Sequence, residues 1–230
     1  MIPKVIYVYY DRPSFHDILK ENIDYLKKQN PDYKVKIITP YEVIQILTND
    51  KPEWIYYFNK INRNFPNLQS DYIRYVLLYL YGGVYLDIKS RPKKPLSDII
   101  DDSMNIFLLK EELKGTDIAT SFLVSKPKHI IFEKVIEKMN YNIDNYWSFD
   151  ININTPKINC LKLFGPKMLG KIVDENINLI NDNEIIPSKY YGKYYLSSCV
   201  NTTGKRWSIE HHKLYEKPHY SKVKEHLIYP

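Results

Sequence analysis

Three charged residues indicate where this sequence could carry out chemistry. Asp71 and Arg74 are three positions apart, and residues with that spacing share one face of a helix. Asp87 directly follows a short apolar run at residues 84–86, which is typical of a strand, and ligands of open α/β sheets bind beyond the carboxyl ends of strands. Carboxylates bind hydroxyl groups and divalent cations, and a guanidinium group binds pairs of oxygen atoms. The three residues therefore predict a site for an oxygen-rich ligand at this strand end.

The elements that must position these residues lie between residues 70 and 89. Apolar side chains recur there at the i, i+3, i+4 and i+7 spacing of a buried helical stripe: Ile73, Val76, Leu77 and Leu80. Gly82 and Gly83 then stop the helix, because glycine adopts positive φ without steric cost. The segment predicts an amphipathic helix, a glycine turn and a short strand that delivers Asp87 to the site.

Alternation of strand-like and helix-like segments predicts the fold class. Strands are expected at 5–9 and 34–38, and helices at 14–29, after Pro40 and at 51–61. This order is typical of an α/β protein with a single Rossmann-like, mostly parallel sheet flanked by helices. Further along, the pattern predicts strands at 105–109 and 118–124, a helix at 129–139, a helix over 161–173 and an extended segment at 177–186. Residues 142–155 predict a long loop or an insertion.

Composition limits the domain organisation and the classes of partner. A chain of 230 residues with 44% hydrophobic residues can bury one substantial core, so we expect a single domain over residues 1–230. The net charge of +6 favours an anionic partner such as a nucleotide diphosphate, a nucleic acid or an acidic membrane. Two cysteines favour a reducing compartment. No signal peptide and no apolar run of roughly 20 residues is present, so a soluble, cytoplasmic protein is expected.

The central segment resembles the sugar-transferring region of glycosyltransferase family 32 and of the related glucosylating toxins. In those proteins a helix bearing Ser/Ala-Asp-x-x-Arg runs into a strand that ends in Tyr-Gly-Gly-x-Tyr-Leu-Asp-x-Asp. The matching residues are Ser70, Asp71, Arg74, Tyr81, Gly82, Gly83, Tyr85, Leu86 and Asp87. Lys89 replaces the second aspartate. The resemblance implies a GT-A type fold and a retaining hexosyltransferase that uses a UDP-sugar or GDP-mannose and a hydroxyl acceptor.

The resemblance also implies roles for individual residues. Asp71 and Arg74 would contact hydroxyls of the donor sugar, and Asp87 would contact the ribose or the sugar and support Mn²⁺ or Mg²⁺. The residues expected at the nucleotide sugar are Tyr9, Tyr10, Asp11, Asp71, Arg74, Gly83, Tyr85, Asp87 and Lys89. Asp71, Arg74 and Asp87 are the predicted catalytic residues. Taken alone, Asp71 and Arg74 also match a surface ion pair worth about 0.3–0.5 kcal/mol.

Lys89 leaves the metal site open to several interpretations. Its ammonium group could neutralise phosphate and make transfer less dependent on a metal. Alternatively, Asp87 binds a cation together with water, phosphate oxygens and a distant protein ligand. A third interpretation is a degenerate site that binds a sugar nucleotide without turnover. Lys89 could also be a solvated side chain in a basic loop with three neighbours, Arg91, Lys93 and Lys94.

His211 and His212 are the candidates for a distant metal ligand. They lie in the C-terminal stretch 206–230 and would reach the metal if that stretch folds over the nucleotide. Adjacent residues of a strand point to opposite faces, so at most one of the two could bind. With Asp87, these two histidines complete the predicted set of metal ligands.

Other functions compete with the glycosyltransferase interpretation. A non-catalytic protein that binds a sugar nucleotide or a glycan would share the fold. Nucleic-acid binding is suggested by the basic charge and 22 tyrosines, but the lysines are spread along the chain, and we expect no nucleic-acid partner. A glycosidase would need paired acidic residues that the sequence does not distinguish. The expected partners are a nucleotide sugar and a glycan, protein or lipid hydroxyl acceptor.

Overall fold

The computed structural model describes residues 1–12, 17–111, 117–148, 155–196, 223 and 225–230. The strands are β1 Val5–Tyr9, β2 Lys34–Ile38, β3 Gly83–Leu86, β4 Arg91–Pro92, β5 Ile106–Leu109, β6 Phe122–Ser125, β7 Ile185–Ile186 and β8 Tyr195–Leu196. Six of them form one sheet in the order β2-β1-β3-β6-β5-β7, and β4 pairs with β8 in a separate ladder. The predicted strands at 5–9 and 34–38 are confirmed.

The helices are α1 Asp17–Gln29, α2 Pro40–Asp50, α3 Trp54–Lys60, α4 Pro66–Tyr81, α5 Ile130–Asp144, α6 Pro156–Leu163, α7 Pro166–Glu175 and α8 Tyr191–Tyr194. Helix α2 begins after Thr39 because Thr39 and Glu42 form a capping box. The helix predicted at 51–61 begins three residues later, at Trp54. Among the described residues, no helix combines the length and the apolar character that crossing a bilayer requires.

The six-stranded sheet is mixed. Strands β1 and β2, β1 and β3, and β5 and β7 pair in parallel. Strand β6 runs antiparallel to both of its neighbours, β3 and β5. The predicted α/β class, with a sheet flanked by helices, is confirmed. Strand β6 begins at Phe122 rather than at residue 118, where the predicted strand begins. Ile118 forms an isolated β-bridge to Lys110 instead.

Most of helix α4 is buried. Residues 71–78 are all buried and include Tyr72 and Tyr75, whereas Leu80 of the predicted stripe is half-buried. The helix packs against α5 on one side and against β1, β3 and β6 on another.

The polar side chains Asn67, Ser70, Asp71 and Arg74 recur at i, i+3, i+4 and i+7 and so share one face of α4. The predicted amphipathic pattern is therefore present, but its polar face is largely enclosed by the protein rather than open to solvent. Asp71 and Arg74 are buried with the helix, so the surface ion-pair interpretation is excluded.

Two predictions in the second half of the chain are corrected. The helix predicted over 161–173 is two helices, α6 and α7, because the chain turns at Gly165 and Pro166 occupies the first position of the second helix. The segment 177–186 consists mainly of two 3₁₀ turns, and only its last two residues form a strand. In the predicted loop 142–155, α5 continues to Asp144, and residues 149–154 lie outside the described residues.

The glycine turn between α4 and β3 brings two pieces of backbone into close contact. Gly82 and Gly83 have φ angles of +64° and +99°. A Cβ atom on Gly83 would lie 2.7 Å from the carbonyl oxygen of Val5 in β1. Glycine is therefore required both for the backbone conformation and for the approach of β3 to β1.

Gly83→Ala should lower the free energy of unfolding by about 2–4 kcal/mol, because positive φ and the clash with Val5 each add strain. Gly192 is the matched control, since no heavy atom lies within 4 Å of its Cβ position. Gly192→Ala should change the free energy by no more than about 0.5 kcal/mol. Urea unfolding measures both variants, and equal effects would contradict the predicted clash.

Candidate functional site

A cleft of about 220 Å³ opens at the carboxyl ends of β1 and β3. It is lined by Tyr9, Tyr10, Asp11, Arg12, Pro66, Asn67, Ser70, Arg74, Asp87, Ile88 and Lys89. Tyr9, the last residue of β1, and the three residues that follow it line one side of the cleft. Asp87 follows β3 and also lines the cleft, and α4 contributes another wall. This is the sheet edge at which the sequence predicted the site.

Arg74 is the centre of a buried polar network and is only 4% exposed. Its Nε donates to the Ser70 carbonyl at 3.1 Å and its Nη1 donates to the Thr120 carbonyl at 2.6 Å. Its Nη2 lies 3.1 Å from Asp71 Oδ1 and 3.3 Å from Asp87 Oδ1. The backbone acceptors hold the guanidinium plane, because each accepts from a different nitrogen. One guanidinium nitrogen therefore joins the two predicted catalytic carboxylates.

Tyr85 lies beneath this network. The Arg74 guanidinium carbon is 4.8 Å from the centre of the Tyr85 ring. The Tyr85 hydroxyl is 2.7 Å from Ser70 Oγ and donates to Asp87 Oδ1 at 3.3 Å. Burial raises the pKa of Tyr85 above its ordinary value, so the hydroxyl keeps its proton. A relay in which Ser70 donates to Tyr85 and Tyr85 donates to Asp87 satisfies both hydroxyls and fixes the Asp87 carboxylate.

The Asp71 carboxyl group lies behind Arg74 rather than on the cleft surface. Burial raises the pKa of Asp71 to about 7, the nearby Arg74 charge opposes that shift, and Asp87 adds to it. Two carboxylates share one guanidinium, so the network contains more negative than positive charge when both are ionised. Asp71 is therefore placed to position Arg74 and to titrate near neutral pH.

The pH dependence of stability tests the environment of Asp71. The folded protein binds this proton more tightly than the unfolded chain does. The carboxyl therefore contributes its full stability below the ordinary value of 3.8 and loses it as the pH rises through about 7. Asp71→Asn removes the titration, so the stability of the wild type should fall relative to that of the variant between about pH 4 and about pH 7. Urea unfolding measures this difference, and parallel pH profiles would contradict it.

The residues predicted at the end of β1 line the cleft but offer little ring surface. Tyr9 and Tyr10 are each 6% exposed. The Tyr9 hydroxyl donates to Gln69 Oε1 at 3.3 Å, and burial raises the pKa of Tyr9. Asp11 Oδ1 lies 3.5 Å from Arg12 Nε. Stacking of a nucleobase on the face of either tyrosine is therefore restricted, and Asp11 and Arg12 are the more accessible groups.

Some predicted residues are not brought to the cleft. Gly83 begins β3 at the end opposite Asp87 and contacts β1, so its place is explained by packing. Asp71 and Tyr85 do not line the cleft, but Asp71 contacts Arg74 and Tyr85 contacts Asp87. His211 and His212 lie outside the described residues.

Residues that the sequence did not assign to the site also take part. Asn67 and Arg12 line the cleft, and Gln69, Ser70 and Thr120 hold predicted residues through hydrogen bonds. Ser70 was recognisable from the Ser-Asp-x-x-Arg motif, and Arg12 from its position beside Asp11. Thr120 acts through its backbone carbonyl, which leaves no signal in the sequence.

The described residues do not by themselves form a divalent-cation site. Asp87 Oδ1 accepts from both Arg74 and Tyr85. Asp11 is paired with Arg12, and Asp71 is buried against Arg74. Within the part of the chain that the structure describes, no three His, Cys, Asp or Glu residues cluster as metal ligands do. The remaining oxygen of Asp87 is one donor, whereas Mg²⁺ and Mn²⁺ need about six, supplied by protein, substrate and water.

A larger groove of about 870 Å³ lies between α5, α6 and α7. Its charged lining consists of five lysines and two glutamates: Lys134, Lys138, Lys162, Lys167, Lys171, Glu137 and Glu175. Lys167 is paired with Asp117 and Lys171 with Glu175. None of the predicted site residues that the structure describes lines this groove, so the smaller cleft is the candidate site.

Sequence comparison identifies relatives of the chain. Residues 17–106 match the family described as "Glycosyltransferase sugar-binding region containing DXD motif". Mannosyl phosphorylinositol ceramide synthase SUR1 of Saccharomyces cerevisiae is 25% identical over 218 residues, which cover 93% of this chain and 54% of that protein. Inositol phosphoceramide mannosyltransferase 2 of Schizosaccharomyces pombe is 25% identical over 118 residues, covering 51% of this chain and 32% of that protein. The chain thus spans about half, or less, of these relatives.

Structural comparison supports the same assignment at the level of the fold. PaToxG glycosyltransferase superposes with a TM-score of 0.56 at 20% identity, covering 77% of this chain and 70% of that chain. The predicted GT-A type architecture is therefore confirmed. The family match includes the whole of α4, the glycine turn and the residues that follow β3. The chain therefore has the fold of glycosyltransferase domains, and its residues 17–106 are similar to the glycosyltransferase sugar-binding region that contains the DXD motif.

Proposed function

We propose that this chain is a retaining hexosyltransferase that moves a sugar from a nucleotide-diphosphate donor to a hydroxyl acceptor. The observation that supports it most strongly is the network of Arg74, Asp71 and Asp87 in the cleft. It lies within the region that matches the sugar-binding family. A fixed guanidinium between two carboxylates provides donors and acceptors for sugar hydroxyls at defined positions.

The transfer exchanges one bond for another at the anomeric carbon. The bond from that carbon to the diphosphate oxygen breaks, and its electron pair leaves with the diphosphate. The acceptor oxygen forms the new bond on the same face of the sugar, and its hydroxyl proton passes to the departing diphosphate. No protein nucleophile is needed, because positioning of the reactants and stabilisation of the leaving charge lower the barrier.

Each side chain of the cleft has a part in this scheme. Arg74 and Asp87 bind hydroxyls of the donor, and Asp71 holds Arg74 from behind. Asn67 also lines the cleft. Asp11, after β1, is assigned to the nucleoside.

The choice of donor and acceptor rests on the net charge of the protein and on the names of its relatives. A UDP-sugar or GDP-mannose carries the diphosphate that a basic protein favours. Two relatives are named as enzymes that add mannose to inositol phosphoceramide, so we favour a mannosyl donor and a hydroxyl on a lipid or glycan headgroup. The DXD family usually uses a divalent cation, Mn²⁺ or Mg²⁺, with the nucleotide sugar.

A second candidate is a protein of the same fold that binds a sugar nucleotide or a glycan without turnover. Lys89 in the position of a metal-binding aspartate favours this alternative. Both candidates should bind the nucleotide sugar. Only the transferase should release the nucleotide, because the non-catalytic protein does not cleave the donor.

Calorimetry and nucleotide release together distinguish the two candidates. The full chain is titrated with GDP-mannose and with UDP-hexoses, in EDTA and in Mn²⁺, and release of GDP or UDP is followed with and without candidate acceptors. Saturable binding with release supports the transferase. Binding without release, with every acceptor tested, supports the non-catalytic alternative. Absence of binding under both metal conditions contradicts both.

A further inference from the structure

We propose that Lys89 supplies, at the donor diphosphate, the positive charge that a DXD motif recruits in the form of a divalent cation. Donor binding by this chain is then independent of metal. The inference rests on the proposed function, because it assumes that a nucleotide diphosphate occupies the cleft. It concerns a residue of this chain that departs from the family motif.

The backbone that carries Lys89 is held in one conformation. The Ser90 amide donates to the Asp87 carbonyl at 2.8 Å, which closes a tight turn around Lys89. Asn22, fully buried in α1, donates from Nδ2 to the carbonyls of Ile88 at 2.8 Å and of Ser90 at 3.0 Å. These bonds fix the peptide groups on both sides of Lys89. Its side chain therefore starts from a defined position beside Asp87.

Two other basic residues of this loop, Arg91 and Lys93, contact groups outside the cleft. Arg91 Nε donates to Asn22 Oδ1 at 2.7 Å, and its guanidinium lies 4.3 Å from the centre of the Tyr25 ring. Lys93 Nζ donates to the Gly192 carbonyl. Lys89, in contrast, lines the cleft with Asp87. Lys89 is exposed to solvent, and among the basic residues of this loop it is the one that lines the cleft.

The charges of the cleft leave Lys89 available for an anion. Arg12 is paired with Asp11, and Arg74 is shared by Asp71 and Asp87. Lys89 enters no ion pair with another residue in the described ranges. An arriving diphosphate would therefore meet an uncompensated cation next to the strand end. A cation held in place before the ligand arrives stabilises the leaving phosphate charge without reorganisation.

The same geometry argues against a metal bound through the motif. A DXD motif brings two carboxylates to one cation, whereas this turn presents one carboxylate and one ammonium group. Asp87 Oδ1 is already occupied by Arg74 and Tyr85. A divalent cation beside Asp87 would also be repelled by the positive charge of the Lys89 ammonium group in the same cleft. Lysine and metal are therefore alternative sources of the same charge.

Binding of GDP and UDP in EDTA tests the inference directly. Calorimetry should show that Lys89→Gln weakens binding of the preferred diphosphate by about tenfold or more, whereas binding of the matching nucleoside stays unchanged. Lys89→Arg, which keeps the charge, should retain most of the affinity. Lys94 is the matched control, because it is exposed in the same loop and does not line the cleft. Lys94→Gln should bind like the wild type.

Lys89→Asp extends the test to the metal. In EDTA this variant should bind the diphosphate at least as weakly as Lys89→Gln, and Mn²⁺ should strengthen its binding while leaving the wild type unaffected. Wild-type binding that requires Mn²⁺, or an unchanged affinity in Lys89→Gln, would overturn the role of Lys89 and leave the proposed function standing. Failure of the wild type to bind either diphosphate, with or without Mn²⁺, would overturn both.

Discussion

Asp87→Asn should lower kcat/KM for donor hydrolysis and for transfer by about 10²–10³-fold, because the variant removes the negative charge that faces the donor in the cleft. The fold should be kept. The asparagine oxygen can still accept from Arg74 and Tyr85, which both contact Asp87 Oδ1. We expect the free energy of unfolding to change by no more than about 1 kcal/mol. Steady-state kinetics and urea unfolding on the same preparation measure both quantities.

The control for this variant is an exposed carboxylate outside the cleft. Asp98→Asn meets that condition, because Asp98 is exposed in a short 3₁₀ turn and does not line the cleft. It should leave kcat/KM at the wild-type value. Near-normal turnover by Asp87→Asn would contradict the assignment of Asp87 to the site. A folded, inactive variant that binds the donor weakly would support it.

The sequence predicted the position of the site but not the environment of the helix that carries it. Strand–helix alternation and the glycine pair are local signals, so β1, β2 and the end of β3 were predictable from the sequence. The burial of α4 was not predictable from the sequence, because tyrosines such as Tyr72 and Tyr75 also occur at protein surfaces. Their full burial depends on packing against α5 and the sheet, which is a tertiary property.

Backbone groups account for much of the remaining difference. The Thr120 carbonyl fixes Arg74, and the carbonyls of Ile88 and Ser90 fix the turn around Lys89. Any residue type could supply these acceptors, so no pattern of side chains predicts them. Asn22, which holds the turn, lies far from it in sequence and occupies an ordinary helical position. The charged residues at the cleft were therefore predictable from the sequence, whereas the backbone groups that orient them required the fold.

Burial also changes what the removal of Arg74 should do. The sequence alone makes Arg74 an exposed group whose loss would abolish activity and spare the fold. In the structure the Asp71 side chain is 11% exposed and paired with Arg74, which opposes the upward shift of the Asp71 pKa. In Arg74→Ala this pKa rises further, so at neutral pH the folded variant must either bury an unpaired carboxylate or bind a proton. We expect a loss of about 3–5 kcal/mol in the free energy of unfolding at neutral pH and no measurable transfer. Urea unfolding and donor hydrolysis are the measurements.

A double variant separates the two effects of losing Arg74. Asp71→Asn combined with Arg74→Ala removes both buried charges, so it should recover about half or more of the lost stability, which is a coupling of about 1.5–3 kcal/mol between the sites. Activity should not return, because the guanidinium group that we propose to bind the donor is still absent. The destabilisation by Arg74→Ala should also be smaller at about pH 5, where Asp71 with its raised pKa is protonated. A double variant as unstable as Arg74→Ala at both pH values would show that Arg74 stabilises the fold through the Ser70 and Thr120 carbonyls rather than through Asp71.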